Sequence, residues 1–163
     1  MTAGGTRPVT SGNEVAGSPG SITVTAGSMP VVDVDEAAGL AASDAGVLLD
    51  ARAAPRFRGE IEPLDPVAGH IPGAINLPIA DVLAADGTFR SAGDIAAAFR
   101  AKGVGPAGVE AGAQAQTVAA SCGSGVTACQ LVLAGEIAGL ELALYAGSYS
   151  QWCALGRPVA VGA

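Results

Sequence analysis

Histidine, lysine and aromatic residues are scarce in this chain of 163 residues. One histidine, His70, and three cysteines, Cys122, Cys129 and Cys153, leave too few ligands for a zinc site of mixed Cys/His type. Lys102 is the one lysine, and eight basic residues stand against fifteen acidic ones, for a formal net charge of −7. Nucleic acid and anionic membrane surfaces both need clustered cations, so neither is expected as a partner. No apolar run reaches the length of a membrane span. Residues 1–20 are rich in Gly, Ser and Pro and lack the apolar centre of a secretion signal. An odd number of cysteines without such a signal predicts free thiols in a reducing, cytoplasmic setting.

What remains is an apolar, weakly charged chain, 50% hydrophobic and 14% charged, which predicts a globular fold with a core of small aliphatic residues. Residues 1–29 read as a linker or tail, and 30–163 as one folded domain. Val47 to Asp50 is an apolar run ending in a carboxylate, as a buried parallel strand does at its carboxyl edge. Ala74 to Leu77, Thr117 to Ser121, Leu142 to Tyr145 and Val159 to Val161 read as further strands. Helices are expected over Asp35–Ala42, from a Ser91 cap to Lys102, over Val126–Ala138 and over Ser148–Ala154, with a helical turn at Ala53–Arg58. Strands alternating with helices predict a parallel sheet covered on both faces, with the ligand site beyond its carboxyl edge.

Two segments lie at that edge: Asp50-Ala-Arg52 and the loop Cys122-Gly-Ser-Gly-Val-Thr-Ala128. The loop satisfies the dinucleotide pattern G-x-G-x-x-A, but only 35 residues of the 163 follow Ala128 and the expected acidic partner is misplaced. It has no lysine for a phosphate-binding loop, and Ala128 stands where a cysteine phosphatase needs arginine. No histidine follows it for a hydrolase triad. A third reading fits better. A loop of small residues curls so that successive N–H groups, backed by a helix N-terminus, face one sulfur. Such a cradle stabilises a thiolate and the anionic product of its attack, and needs no histidine base. A buried structural cysteine before a tight turn is the plain alternative.

Four motifs in order decide between them: Asp50-Ala-Arg52-Ala-Ala-Pro-Arg56-Phe-Arg58-Gly59, Gly69-His-Ile-Pro-Gly-Ala-Ile-Asn-Leu-Pro78, the Cys122 loop, and Gly147-Ser-Tyr-Ser-Gln-Trp152. Together they resemble the catalytic domain of rhodanese-family sulfurtransferases, and the Cys122 loop resembles that of the branch using 3-mercaptopyruvate. The resemblance covers roughly Pro30 to Gly162. It implies an α/β fold, a five-stranded parallel sheet flanked by helices on both faces. It also implies a cofactor-free sulfurtransferase in which Cys122 becomes a persulfide, fed by mercaptopyruvate or thiosulfate and emptied by a thiol, thioredoxin or cyanide.

By the same resemblance Arg56 holds the donor's anionic end, and Gly123, Gly125, Val126 and Thr127 supply the donor loop. Ser124 bonds the sulfur or moves a proton, and Arg52 is a second candidate for the substrate. Asp50 supports Arg52, His70 is structural, and Tyr149 and Trp152 pack the lid. Cys129 is expected in the core and Cys153 buried. Three of eight basic residues fall in Arg52–Arg58, which predicts a local positive patch. The loop Glu60-Ile-Glu-Pro-Leu-Asp65 lacks the second arginine common in mercaptopyruvate enzymes. Residues 1–29 resemble the linker from an inactive N-terminal copy, so a second, inactive rhodanese domain is a possible partner. A partner-dependent sulfur-carrier module is the alternative function, and a dinucleotide-binding domain the third.

Overall fold

A computed structural model describes residues 21, 23, 29–43, 46–105 and 116–162. The expected linker, residues 1–29, falls almost wholly outside the described residues. The elements in chain order are α1 (Val34–Ala42), β1 (Gly46–Asp50), α2 (Ala54–Phe57), β2 (Ile75–Asn76), a 3₁₀ turn (Ile79–Val82), α3 (Ala92–Arg100), β3 (Thr117–Ser121), α4 (Val126–Ile137), β4 (Ala143–Leu144) and α5 (Ser148–Ala154). The helix starts follow local chemistry. Asp33 and Glu36 form a reciprocal capping box on α1. The Ser91 hydroxyl accepts the Asp94 N–H at the head of α3.

The sheet is parallel throughout, in the order β2-β1-β3-β4. The strands have four members among the described residues, not the expected five. Val31 adds only a single parallel bridge outside Leu144, too short to make a strand. Val159–Val161, expected as the last strand, instead clips to the loop before β2. His70 and Ala160 exchange both backbone hydrogen bonds in one antiparallel bridge away from the sheet.

Alternation along the two central strands divides the core. Val47 and Leu49 of β1, with Val118 and Ala120 of β3, pack with Ile95, Phe99 and Leu131 of α3 and α4. Leu48 and Ala119 face the other way, onto Ala37, Phe57, Tyr145, Tyr149 and Trp152. Period-two alternation in strands sealed on both faces is what makes β1 and β3 read as unbroken apolar runs. No helix among the described residues is long and apolar enough to cross a membrane. The carboxyl ends of β1 and β3 lie side by side, Asp50 opposite Ser121. The two candidate segments therefore leave the sheet as neighbours.

Candidate active site

The β3 chain passes from Ser121 into Cys122, which is 3% exposed. The loop that follows is pinned from α5. The Cys122 N–H donates to the Ser148 hydroxyl at 3.0 Å, and that hydroxyl donates to the Tyr145 carbonyl at 2.9 Å. The Tyr149 and Ser150 N–H groups donate back to the Cys122 and Gly123 carbonyls at 3.0 and 2.8 Å. Ser148 is buried and holds a positive φ of 51°, the one such non-glycine among the described residues. A strained backbone at a position that bonds the candidate nucleophile's own amide is a common signature of a built site. Nothing in the Gly147-Ser-Tyr pattern marks Ser148 for this part, because its bond to the Cys122 amide spans 26 residues of sequence.

The glycines have separate duties. Gly125 has φ +84°, and a Cβ there would run into the Ala146 carbonyl oxygen, so the turn into α4 admits no side chain. Gly123 is buried, and a Cβ on it would meet both terminal nitrogens of Arg56 at 3.6 Å. Its bare face thus lies directly under the Arg56 guanidinium. Helix α4 starts at Val126 with no side-chain cap, so no side chain takes the N–H groups of its first turn. Val126 and Ser124 are exposed and Thr127 partly so.

The three arginines after β1 go to different places. Arg52 is buried at 4% exposure, and each nitrogen of its guanidinium has a partner. Its Nε and Nη2 grip the Asp50 carboxylate at 2.7–3.1 Å, Nη2 also reaches the Gly69 carbonyl, and Nη1 reaches Glu62 at 3.3 Å. The guanidinium carbon stands 3.9 Å from the centre of the Tyr149 ring. Burial works against the Arg52 charge, but bonds to Asp50 and the charges of Asp50 and Glu62 outweigh it and raise its pKa. Arg52, expected at the substrate, is a brace under the site. Arg58 turns outward and pairs with Glu60. Arg56 alone lies over the cysteine loop, its side chain 18% exposed.

Carboxylates hold Arg56 in that place. Glu62 accepts from its Nη2 at 2.6 Å and its Nε at 3.2 Å, and Asp65 Oδ2 lies 3.6 Å from Nη2. Asp65 Oδ2 is buried without a hydrogen-bond donor. Among the described residues Nη1 of Arg56 makes no hydrogen bond. Every arginine in the expected positive patch is thus paired, so the patch is neutralised. The loop without a second arginine supplies two acids instead, which sequence spacing does not reveal.

Glu62, its side chain 2% exposed, titrates below the ordinary value of 4.5. Burial would raise it, but hydrogen bonds from Arg56 and from the Leu64 and Asp65 amides outweigh that. A carboxyl whose pKa falls on folding stabilises the fold above its unfolded value and loses that contribution as pH drops through the folded value. Glu62→Gln is therefore expected to lower stability at neutral pH by on the order of 2 kcal/mol. The gap between its melting temperature and that of the wild type is expected to close on acidification below about pH 4.5, measured by circular dichroism. A gap that persists there would exclude the ionised carboxylate as its cause.

The remaining residues sort plainly. His70 stacks on Phe57 at 3.8 Å with Nδ1 2.7 Å from the Phe57 carbonyl, a structural position. Tyr149 and Trp152 are buried in the core. Cys129, expected in the core, is exposed, because the buried stripe of α4 runs through Ala128, Leu131, Val132, Ala134 and Gly135 and passes it by. Cys153 is half-buried. Burial raises its thiol pKa, the nearby Tyr149 hydroxyl opposes that, and the Asp65 charge adds to the rise. It stays protonated at neutral pH and is a poor nucleophile.

Fold and site together define a parallel α/β domain with a nearly buried cysteine at the carboxyl edge, in a glycine loop faced by one carboxylate-held arginine. The chain belongs to the rhodanese-like domain family, whose profile matches residues 33–155. It is 49% identical over 117 residues to a Pseudomonas aeruginosa protein named "Probable 3-mercaptopyruvate sulfurtransferase", an overlap of 71% of this chain and 39% of that one. It is 41% identical over 152 residues to a Mycobacterium tuberculosis protein named "Putative thiosulfate sulfurtransferase SseB", covering 88% of this chain and 51% of that one. Human 3-mercaptopyruvate sulfurtransferase is 38% identical over 114 residues, covering 68% and 36%. The chain thus spans about half the length of these relatives or less. Among solved structures, wild-type EanB superposes with a TM-score of 0.70 at 23% identity, over 82% of this chain and 32% of that one, a likeness of fold.

Proposed function

We propose that this chain is the catalytic domain of a sulfurtransferase that carries sulfur as a persulfide on Cys122. The observation that carries the reading is the seating of the Arg56 guanidinium against the bare face of Gly123, beside Cys122. An anion bound at Nη1 of Arg56 would hold its sulfur end at the loop. With 3-mercaptopyruvate the Cys122 thiolate attacks the thiol sulfur. The S–S bond forms and the C–S bond breaks, its electron pair passing to carbon as the enolate of pyruvate. The thiol proton moves to that carbon, and Ser124, exposed at the loop tip, is the proposed relay. With thiosulfate the same attack breaks the S–S bond, and its electron pair leaves with sulfite.

The persulfide anion rests in the field of the uncapped first turn of α4 and the amides of Gly123, Gly125, Val126 and Thr127. An acceptor thiolate, of a small thiol or of a thioredoxin-type protein, or cyanide, then takes the outer sulfur and releases Cys122 as the thiolate. Asp50 and Arg52 act from beneath, fixing the end of β1 from which Arg56 is presented. Burial of Cys122 admits only a slender sulfur-bearing group, in keeping with a small donor. A second rhodanese-like domain, as an inactive copy, is the proposed neighbour, and a reducing cytoplasm the proposed setting.

Turnover tests the reading. With 3-mercaptopyruvate and cyanide the isolated chain is expected to release pyruvate and thiocyanate in equal amounts. Absence of both products, with thiosulfate tried as well, would overturn it.

A further inference from the structure

Three carboxylates and two guanidinium groups are packed under and beside the cysteine loop: Asp50, Glu62 and Asp65 with Arg52 and Arg56. Arg52 is closed off by Asp50, Glu62, the Gly69 carbonyl and the Tyr149 ring, so it offers nothing to a ligand. Glu62 occupies the Nε–Nη2 edge of Arg56, one of the two edges by which a guanidinium grips an oxyanion in two places. Asp65 adds a second negative charge on the same nitrogen. What Arg56 has left is its outer edge, the two N–H groups of Nη1 and the second of Nη2, both nitrogens beside Gly123 and the latter already drawn by Asp65. The immediate charge sum of the cluster is negative by one.

We propose that Glu62 and Asp65 are specificity-determining residues that set this site for singly charged sulfur donors and against dianions. The inference rests on the sulfurtransferase reading and deepens it. A donor with one carboxylate needs one cationic contact and brings one charge into the cluster. Thiosulfate brings two, at a site where the one cation available among the described residues is already shared between two acids. Two like charges a few ångströms apart near a protein surface repel by about tenfold or more in affinity, so one more negative charge on the donor is a large handicap. Glu62 and Asp65 act through Arg56 and are positioning residues, not groups that touch the reacting sulfur.

The test compares wild type, Glu62→Gln and Asp65→Asn by two readouts, with melting curves alongside. Asp65 forfeits only one ion pair at 3.6 Å, so its variant is expected to fold even where Glu62→Gln is weakened. The first readout is the ratio of kcat/KM for 3-mercaptopyruvate to that for thiosulfate. Wild type is expected to favour mercaptopyruvate, and each variant to move the ratio toward thiosulfate by about tenfold, an order of magnitude for one removed charge at this range. A merely loosened fold would lower both donors alike and leave the ratio where it was. The second readout needs no turnover: protection of Cys122 from iodoacetamide by pyruvate, a monoanion, and by sulfate, a dianion. Pyruvate is expected to protect wild type at lower concentration, and sulfate to catch up in both variants. An unchanged ratio and unchanged protection in both variants would overturn the proposal while leaving sulfur transfer intact. Selective protection by pyruvate in a chain that turns over neither donor would uphold the charge filter and sink the sulfurtransferase reading.

Discussion

Cys122→Ser is expected to have no sulfurtransferase turnover with either donor while melting within a few degrees of wild type. The reason is chemical rather than structural. Cys122 is nearly buried against the α3–α4 side of the core, and serine is close in size, so packing changes little. The amide of residue 122 still donates to Ser148, and the loop keeps its pins to α5. What is lost is a polarisable, ionisable nucleophile that can hold a sulfur atom between two half-reactions. A hydroxyl at this place has no base to activate it, since the chain's one histidine, His70, is stacked on Phe57 and bonded to its carbonyl. Residual turnover above background in Cys122→Ser would mean that Cys129 or Cys153 carries the chemistry. That outcome is not expected, because neither sits on the carboxyl-edge loop and the Cys153 thiol is pushed up.

Arg56→Ala is expected to raise KM for the donor strongly and to lower kcat/KM by about 10- to 100-fold, the value of one charge-assisted hydrogen bond to an anion. Because Arg56 binds the donor's spectator end, the effect should fall mostly on KM, with kcat changed less. Arg56→Lys is not expected to restore the rate: a lysine cannot be gripped by Glu62 at one edge and offer a fixed second nitrogen over Gly123. Steady-state kinetics of the two variants check this. An unchanged KM in Arg56→Ala would remove Arg56 from the donor site. Loss of stability alone, with KM intact in the folded fraction, would make it a structural partner of Glu62.

The fold was legible where local patterns carry the information. Thr117–Ser121 has the strand bounds expected of it, and Ser148–Ala154 those of the helix. Val47–Asp50 gains only Gly46, and Ser91 caps α3 as expected. Helix α3 stops at Arg100, two residues earlier than the Lys102 expected from its Gly103 stop, as the chain turns through the left-handed Gly103. The expected fifth strand was not legible. Val159–Val161 has a strand's composition, but its one bridge is to a loop, and composition does not say what lies alongside.

The residues of the candidate site were easier to pick out in the sequence than their wiring. The glycine loop, the cysteine at its head and Arg56 lie together, with Arg56 against Gly123. Arg52, Arg56 and Arg58 look alike in sequence, four and two residues apart. What separates them is where the chain turns: Arg52 points back under the sheet edge to Asp50 and Tyr149, Arg58 out to Glu60, and Arg56 across to Gly123. Glu62 and Asp65 first appear in the sequence as the lack of an arginine. Their role as Arg56's partners depends on the loop folding back six and nine positions later, which no local period records.

The central claim, that sulfur rides on Cys122, is tested most directly by peptide-resolved mass spectrometry after the chain is mixed with 3-mercaptopyruvate and no acceptor. The account predicts one added sulfur atom per chain, on the peptide containing Cys122, gone after cyanide is added and never formed in Cys122→Ser. Sulfur found instead on Cys129 or Cys153, or a wild-type chain that gains none from mercaptopyruvate or thiosulfate, would contradict it.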